Sequence, residues 1–164
     1  MNCTSVLISG ICWRLCRAPR TTKPMQRVEV VLGIIVRDQD VLVCRRHDTG
    51  AFAGLWEFPG GKREENETIH QTLARELREE LGVEVRVTGI LDPIDFDYPT
   101  IQVRLTPLLC TLEVGEPQPL ASQEVKWVRY DCLGELGFPA ANTPLVDQIA
   151  ARFKRALWNE RPTP

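Results

Sequence analysis

The chain has 164 residues, a length that suggests one domain. Its 43% hydrophobic and 26% charged residues describe an ordinary soluble globular protein with a core of useful size. A net charge of −2 with no basic tract argues against a nucleic-acid polymer as partner. The six cysteines (Cys3, Cys12, Cys16, Cys44, Cys110, Cys132) contain no C-x-x-C pair, which points to a reducing compartment, the cytoplasm, without structural zinc. Cys44 and Cys110 lie in apolar strand-like runs and are expected as buried thiols.

Residues 1–24 stand apart: there is no acid before Glu29, and Arg14, Arg17 and Arg20 follow an apolar run rather than precede it. That order argues against a secretory signal, and the run is too short to span a membrane. Three readings stand: a disordered or loosely attached extension, an organelle-targeting segment, or a mis-assigned start, since Met25 sits directly before the first strand. Residues 25–164 are expected to form one domain.

Val28–Val36 is a β-branched apolar run that predicts a central strand; Arg37–Asp40 turns and Val41–Arg45 pairs back. Arg46–Gly54 is a loop and Leu55–Phe58 a short strand. Pro59–Lys62 reads as a sharp turn whose two glycines allow close backbone approach to a bound group. Thr68 followed by Gln71 is a capping box that starts a helix. Ile69, Leu73, Leu77 and Leu81 form its apolar stripe, and Gly82 lies just past its end. Glu76, Glu79 and Glu80, at i, i+3 and i+4, put three carboxylates on one helix face. Like charges so close repel, and partial burial raises the cost, so something positive is required among them. A hard divalent cation, Mg²⁺ or Mn²⁺, fits best; the alternative is a solvated acidic face paired with Arg75 and Arg78. The Gly-rich entry and Glu67 at a fixed offset favour the cation. Residues 57–84 also carry more acids than bases, so a polyphosphate would be repelled there unless metal neutralised them.

Beyond the helix, Val83–Val87 alternates as a strand, and Ile90–Tyr98 runs extended around Pro93. Ile101–Leu105 leads into Leu108–Glu113, a long strand expected to break or bend at Pro107. Glu124–Tyr130 is a strand, Asp131–Leu136 a helical turn and Phe138–Asn142 a rigid loop. Thr143 as N-cap and Pro144 as first helical residue open a final helix with the stripe Leu145, Val146, Ile149, Ala150, Phe153 and Leu157. The order of elements predicts an α+β or mixed αβ fold with helices packed on sheet faces.

From Gly61 the chain reads Gly, five residues, Glu67, seven residues, then Arg75-Glu76-Leu77-Arg78-Glu79-Glu80-Leu81-Gly82-Val83. This is similar to the complete Nudix box, with every fixed position filled. The resemblance covers about residues 27–157. It implies an α+β fold, an α/β/α sandwich with a mixed, curved sheet, and Mg²⁺-dependent hydrolysis of a nucleoside diphosphate linked to another group. It further implies metal ligands at Glu76, Glu79 and Glu80 with the Gly60 carbonyl, a general base at Glu76 or Glu79, and Arg75 orienting the glutamates. Glu67 would brace loop and helix. Leu55–Lys62, Cys44-Arg45-Arg46 and Phe138–Asn142 resemble the MutT branch, which hydrolyses oxidised nucleoside triphosphates. On that resemblance Arg46, Glu57, Phe58, Lys62 and Asn142 are substrate-binding candidates, with Arg46 on phosphate and the Asn142 amide reading the edge of 8-oxoguanine. Plainer alternatives are a surface ion pair for Arg46, an exposed side chain for Lys62, a core position for Phe58 and a helix-start role for Asn142. Ala121 stands where the branch often carries another acidic ligand, with Glu116 and Glu124 nearby. The expected partner is a nucleoside triphosphate, in a monomer or homodimer. A cytidine triphosphate substrate and a non-catalytic nucleotide reader are the competing readings.

Overall fold

The computed structural model describes residues 26–159, and side chains as far as residue 155. The extension 1–24, the residues after Asn159 and the Leu157 side chain therefore lie outside the described residues. Strand β1 (Gln26–Arg37) and β2 (Asp40–Arg45) form the expected hairpin, Val36 opposite Val41. β3 (Trp56–Glu57) extends β2, and β4 (Gly60–Lys62) lies antiparallel to β1 with Gly60 opposite Leu32. Helix α1 (Ile69–Leu81) follows, then β5 (Glu84–Ile90), β6 (Ile94–Asp97), β7 (Ile101–Val114), β8 (Glu124–Arg129) and helix α2 (Thr143–Asn159). The sheet runs β3-β2-β1-β7-β5, with β4 on β1, β6 on β7 and β8 on β2. It is mixed, because β1 and β7 are parallel from Gln26/Ile101 to Ile35/Cys110 while the other pairs are antiparallel.

Alternation along β1 builds two cores. Leu32 and Ile34 face Leu145 and Ile149 of α2, while Val31 and Ile35 face Leu73, Leu77 and Leu81 of α1. The result is the expected α/β/α sandwich. Both ends of α1 are set locally. Thr68 Oγ1 accepts from Gln71 N–H, Gln71 Oε1 accepts from Thr68 N–H, and Gly82 closes the helix at φ 69°. Its seat on the sheet is set by Gly33, where an added Cβ would stand 3.2 Å from Leu73 Cδ1.

Three expectations are corrected. Pro59–Lys62 is more than a turn: Pro59 O accepts from Gly33 N–H at 2.8 Å and Gly60–Lys62 continues as a strand, a pairing with β1 that local turn propensity does not reveal. Pro107 does not break β7, which is continuous to Val114. Pro107 sits where the outer partner changes from β6 (Ile94 opposite Leu105) to β5 (Ile90 opposite Leu108), and its carbonyl accepts from Leu91 N–H at 3.0 Å. The N–H it lacks falls at this join. Thr143 is not an N-cap: a 3₁₀ turn, Ala140–Asn142, runs straight into α2, and Thr143 is already helical at φ −55°, ψ −48°.

Candidate active site

Arg75, half-buried on α1, knits the acidic helix to the strand and loop before it. Its Nε donates to Glu67 Oε1 at 2.8 Å and its Nη2 to Glu67 Oε2 at 3.0 Å. Nη1 donates to Glu76 Oε1 at 2.8 Å and stands 3.6 Å from Glu79 Oε2, and Nη2 also reaches the Lys62 carbonyl at 3.2 Å. Glu67 in turn accepts from Thr72 Oγ1 at 2.9 Å and from Glu64 N–H at 3.3 Å. The Arg75 pair holds the Glu67 carboxyl down at about 2; burial opposes it, and the Thr72 hydroxyl and the Glu64 N–H help to lower it. Thr72 is fully buried. Its role had a sequence signal, a lone hydroxyl beside Leu73 on an apolar face.

The two glycines of β4 receive the glutamates. Gly60 N–H donates to Glu80 Oε2 at 2.9 Å. Gly61 lies so close to Glu76 that an added Cβ would collide with the carboxylate. Burial is the main force pushing the Glu80 carboxyl up to about 7; the Gly60 N–H opposes it, Glu57 and Glu76 push it further up, and Arg46 pulls it down. Burial likewise raises Glu57, against a bond and charge from Arg46. Glu79 remains exposed, its side chain 62% accessible.

Small-molecule sites are clefts of about 300–1,000 Å³, and the one beside this cluster measures about 620 Å³. Gly60, Gly61, Lys62, Arg46 and Glu57 line one part of it, while Phe58, Ala141 and Asn142 line another. Val30 and Leu32 of β1 and Val103 and Leu105 of β7 contribute apolar lining. Phe58 is both core and wall: it is 1% exposed and stacks on Phe138 with centroids 5.1 Å apart. Asn142 is 6% exposed, and its backbone N–H donates to Pro139 O at 2.8 Å. No protein hydrogen bond engages its side-chain amide among the described residues, and no buried side-chain polar atom there lacks a partner. The amide is thus accessible from the cleft. Arg46 forms an ion pair with Glu57, and its Nε donates to the Ala51 carbonyl at 3.2 Å. Lys62 is exposed at the rim.

The structure therefore gathers Arg46, Glu57, Phe58, Gly60, Lys62 and Asn142 around one cleft, beside Glu76 and Glu80. It does not bring Glu116 in, which pairs with Arg37 at 3.3 Å, and Glu124 stands 4.0 Å from Arg45. Phe52 and Tyr98 also line the cleft, although no sequence pattern singled them out. Among the described residues no three acidic, His or Cys side chains converge on one point as they stand. The donors are nevertheless all oxygen, and Glu57 and Glu76 crowd negative charge around the partly buried Glu80 carboxyl. A hard divalent cation fits such a set.

Comparison with known proteins agrees with this architecture. The family model described as NUDIX domain matches residues 30–148. The 8-oxo-dGTP diphosphatase of Haemophilus influenzae is 33% identical over 123 residues, 74% of this chain and 90% of that protein. The CTP pyrophosphohydrolase of Escherichia coli K12 is 52% identical over 63 residues, 38% of this chain and 47% of that protein. The solution structure of the E. coli ORF135 protein matches with a TM-score of 0.68 at 32% identity, covering 85% of this chain and 96% of that one.

Proposed function

The chain belongs to the NUDIX domain family and is a MutT-like hydrolase of phosphoanhydride bonds, and from this we propose that it is a Mg²⁺-dependent pyrophosphohydrolase converting 8-oxo-dGTP to 8-oxo-dGMP and pyrophosphate. Mn²⁺ would substitute. The role is sanitation of the nucleotide pool before DNA replication, a form of DNA repair by prevention. The observation that carries the substrate assignment is Asn142: an amide without a hydrogen-bond partner among the described residues, on a 3₁₀ turn that lines the same cleft as Gly61 and Lys62. It offers a donor and an acceptor to a purine edge altered at N7 and O8.

The residues divide the work. Glu76, Glu79, Glu80 and the Gly60 carbonyl would hold Mg²⁺, which when bound polarises an internal phosphorus and lowers the pKa of the attacking water. Arg75 holds Glu76 against Gly61, while Gly60 N–H fixes Glu80. Of the two candidate bases we favour Glu79, because Glu76 accepts a hydrogen bond from Arg75 at 2.8 Å while Glu79 stands 3.6 Å from it. Arg46 and Lys62, beside the glycines, receive phosphate oxygens. Glu57 holds Arg46 in place through their ion pair. Phe58 is an apolar wall for the base.

The similarity to a CTP pyrophosphohydrolase supports a second reading, the same chemistry on a cytidine nucleotide. Asn142→Ala separates the two. If the amide reads 8-oxoguanine, the ratio of kcat/KM for 8-oxo-dGTP over dGTP falls about tenfold while turnover of CTP is unchanged. An unchanged ratio removes Asn142 from base selection. Glu79→Gln should abolish hydrolysis and retain nucleotide binding, as a catalyst but not a reader module requires.

A further inference from the structure

Phe52 is an anomaly for an ordinary surface loop. It is a bulky aromatic at φ +61°, a backbone region that costs such a residue energy, and its side chain is still 42% exposed. Three hydrogen bonds hold the loop in that shape: Gly54 N–H to His47 O, Leu55 N–H to Phe52 O and Arg46 Nε–H to Ala51 O. The ring meets Tyr98, which comes from the turn between β6 and β7, with centroids 5.5 Å apart and planes tilted by 50°. Tyr98 is backed in turn by Phe96 at 4.8 Å. Both Phe52 and Tyr98 line the cleft. Two loops distant in sequence thus bring an aromatic pair to one cavity, and the loop carrying Phe52 also begins with Arg46.

We propose that Phe52 and Tyr98 form an aromatic clasp that packs on the flat face of the substrate's nucleobase. This rests on the reading of the cleft as a nucleoside triphosphate site and names how that site grips its substrate. A ring face takes any base, because every base has a π-face, whereas an amide reads an edge. The clasp therefore supplies affinity for nucleotides in general, and Asn142 supplies the choice among them. The left-handed conformation at Phe52 keeps its ring at the cleft instead of in the core, and the backing by Phe96 keeps Tyr98 from yielding.

The test is steady-state kinetics of Phe52→Ala on 8-oxo-dGTP, dGTP and CTP, with Phe52→Trp as rescue and thermal unfolding as a control for folding. The clasp predicts that Phe52→Ala raises KM about tenfold on every nucleotide turned over, with kcat within about twofold, from loss of a stacking contact made equally in ground and transition states. The ratio between 8-oxo-dGTP and dGTP stays the same, Phe52→Trp restores KM, and Tm does not move. An unchanged KM, or a fall in kcat with KM unchanged, overturns the clasp. If wild-type protein prefers CTP, the 8-oxoguanine assignment fails on its own, and the clasp is judged by KM for CTP.

Discussion

Gly61→Ala isolates the geometry of the site from the stability of the fold. Gly61 does not need a left-handed backbone, so alanine is compatible with its conformation. The added methyl would stand 2.6 Å from Glu76 Oε2 and closer still to the rest of the carboxyl group. An ordinary contact needs about 3.5 Å, so Glu76 or β4 must shift by about 1 Å. Arg75 blocks an easy retreat, since it already binds Glu76 Oε1 at 2.8 Å and Glu67 on both oxygens. A displacement of that size at a reacting centre costs about 100-fold in rate, or about 2.7 kcal/mol of barrier. The assay is pyrophosphate release at saturating Mg²⁺, with Tm measured alongside. The expected result is a kcat lowered about 100-fold, with Tm little changed. A variant that keeps more than a third of wild-type kcat would refute the placement of Glu76 against Gly61.

Three further outcomes follow from the same structure. The Glu67 carboxyl lies at about 2 in the folded protein against an ordinary 4.5, so its contribution is complete above pH 4.5 and is lost as pH falls from 4.5 toward 2; Glu67→Gln should flatten the fall of Tm over that range, and an unaltered slope would contradict the pairing with Arg75. Leu77→Ala, at a fully buried position against Gly33, should cost about 2–5 kcal/mol in urea unfolding; a loss below about 1 kcal/mol would mean that α1 is not seated as described. Burial raises the thiol of Cys44 and pushes that of Cys110 up to about 12. Peptide mapping after alkylation of native protein at pH 8 should therefore find both unmodified, with modification only after unfolding.

What could be read from the sequence is what local chemistry decides. Thr68, Gln71 and Gly82 delimit α1 by bonds within a few residues, and the leucine stripe shows its buried face. The acidic triplet and its glycine-rich entry are contiguous, so the box was visible before the fold. The strand does not break at Pro107 because the cost of a proline in a strand depends on which neighbour its N–H would face. Here that neighbour changes between β6 and β5 at the proline itself. The strand at Gly60–Lys62 was hidden for a similar reason, since its partner is β1, about thirty residues earlier. The cleft was legible only in part. Arg46, Phe58 and Asn142 follow from the resemblance, but Phe52 meets Tyr98 across 46 positions of chain, and no period or spacing encodes that contact.

The central claim is tested most directly by kcat/KM of the wild-type protein for 8-oxo-dGTP and dGTP with Mg²⁺, with CTP in parallel. A site that reads the oxidised edge through Asn142 should favour 8-oxo-dGTP over dGTP by at least about 100-fold. Equal values for the two purines, or a higher value for CTP, would contradict it.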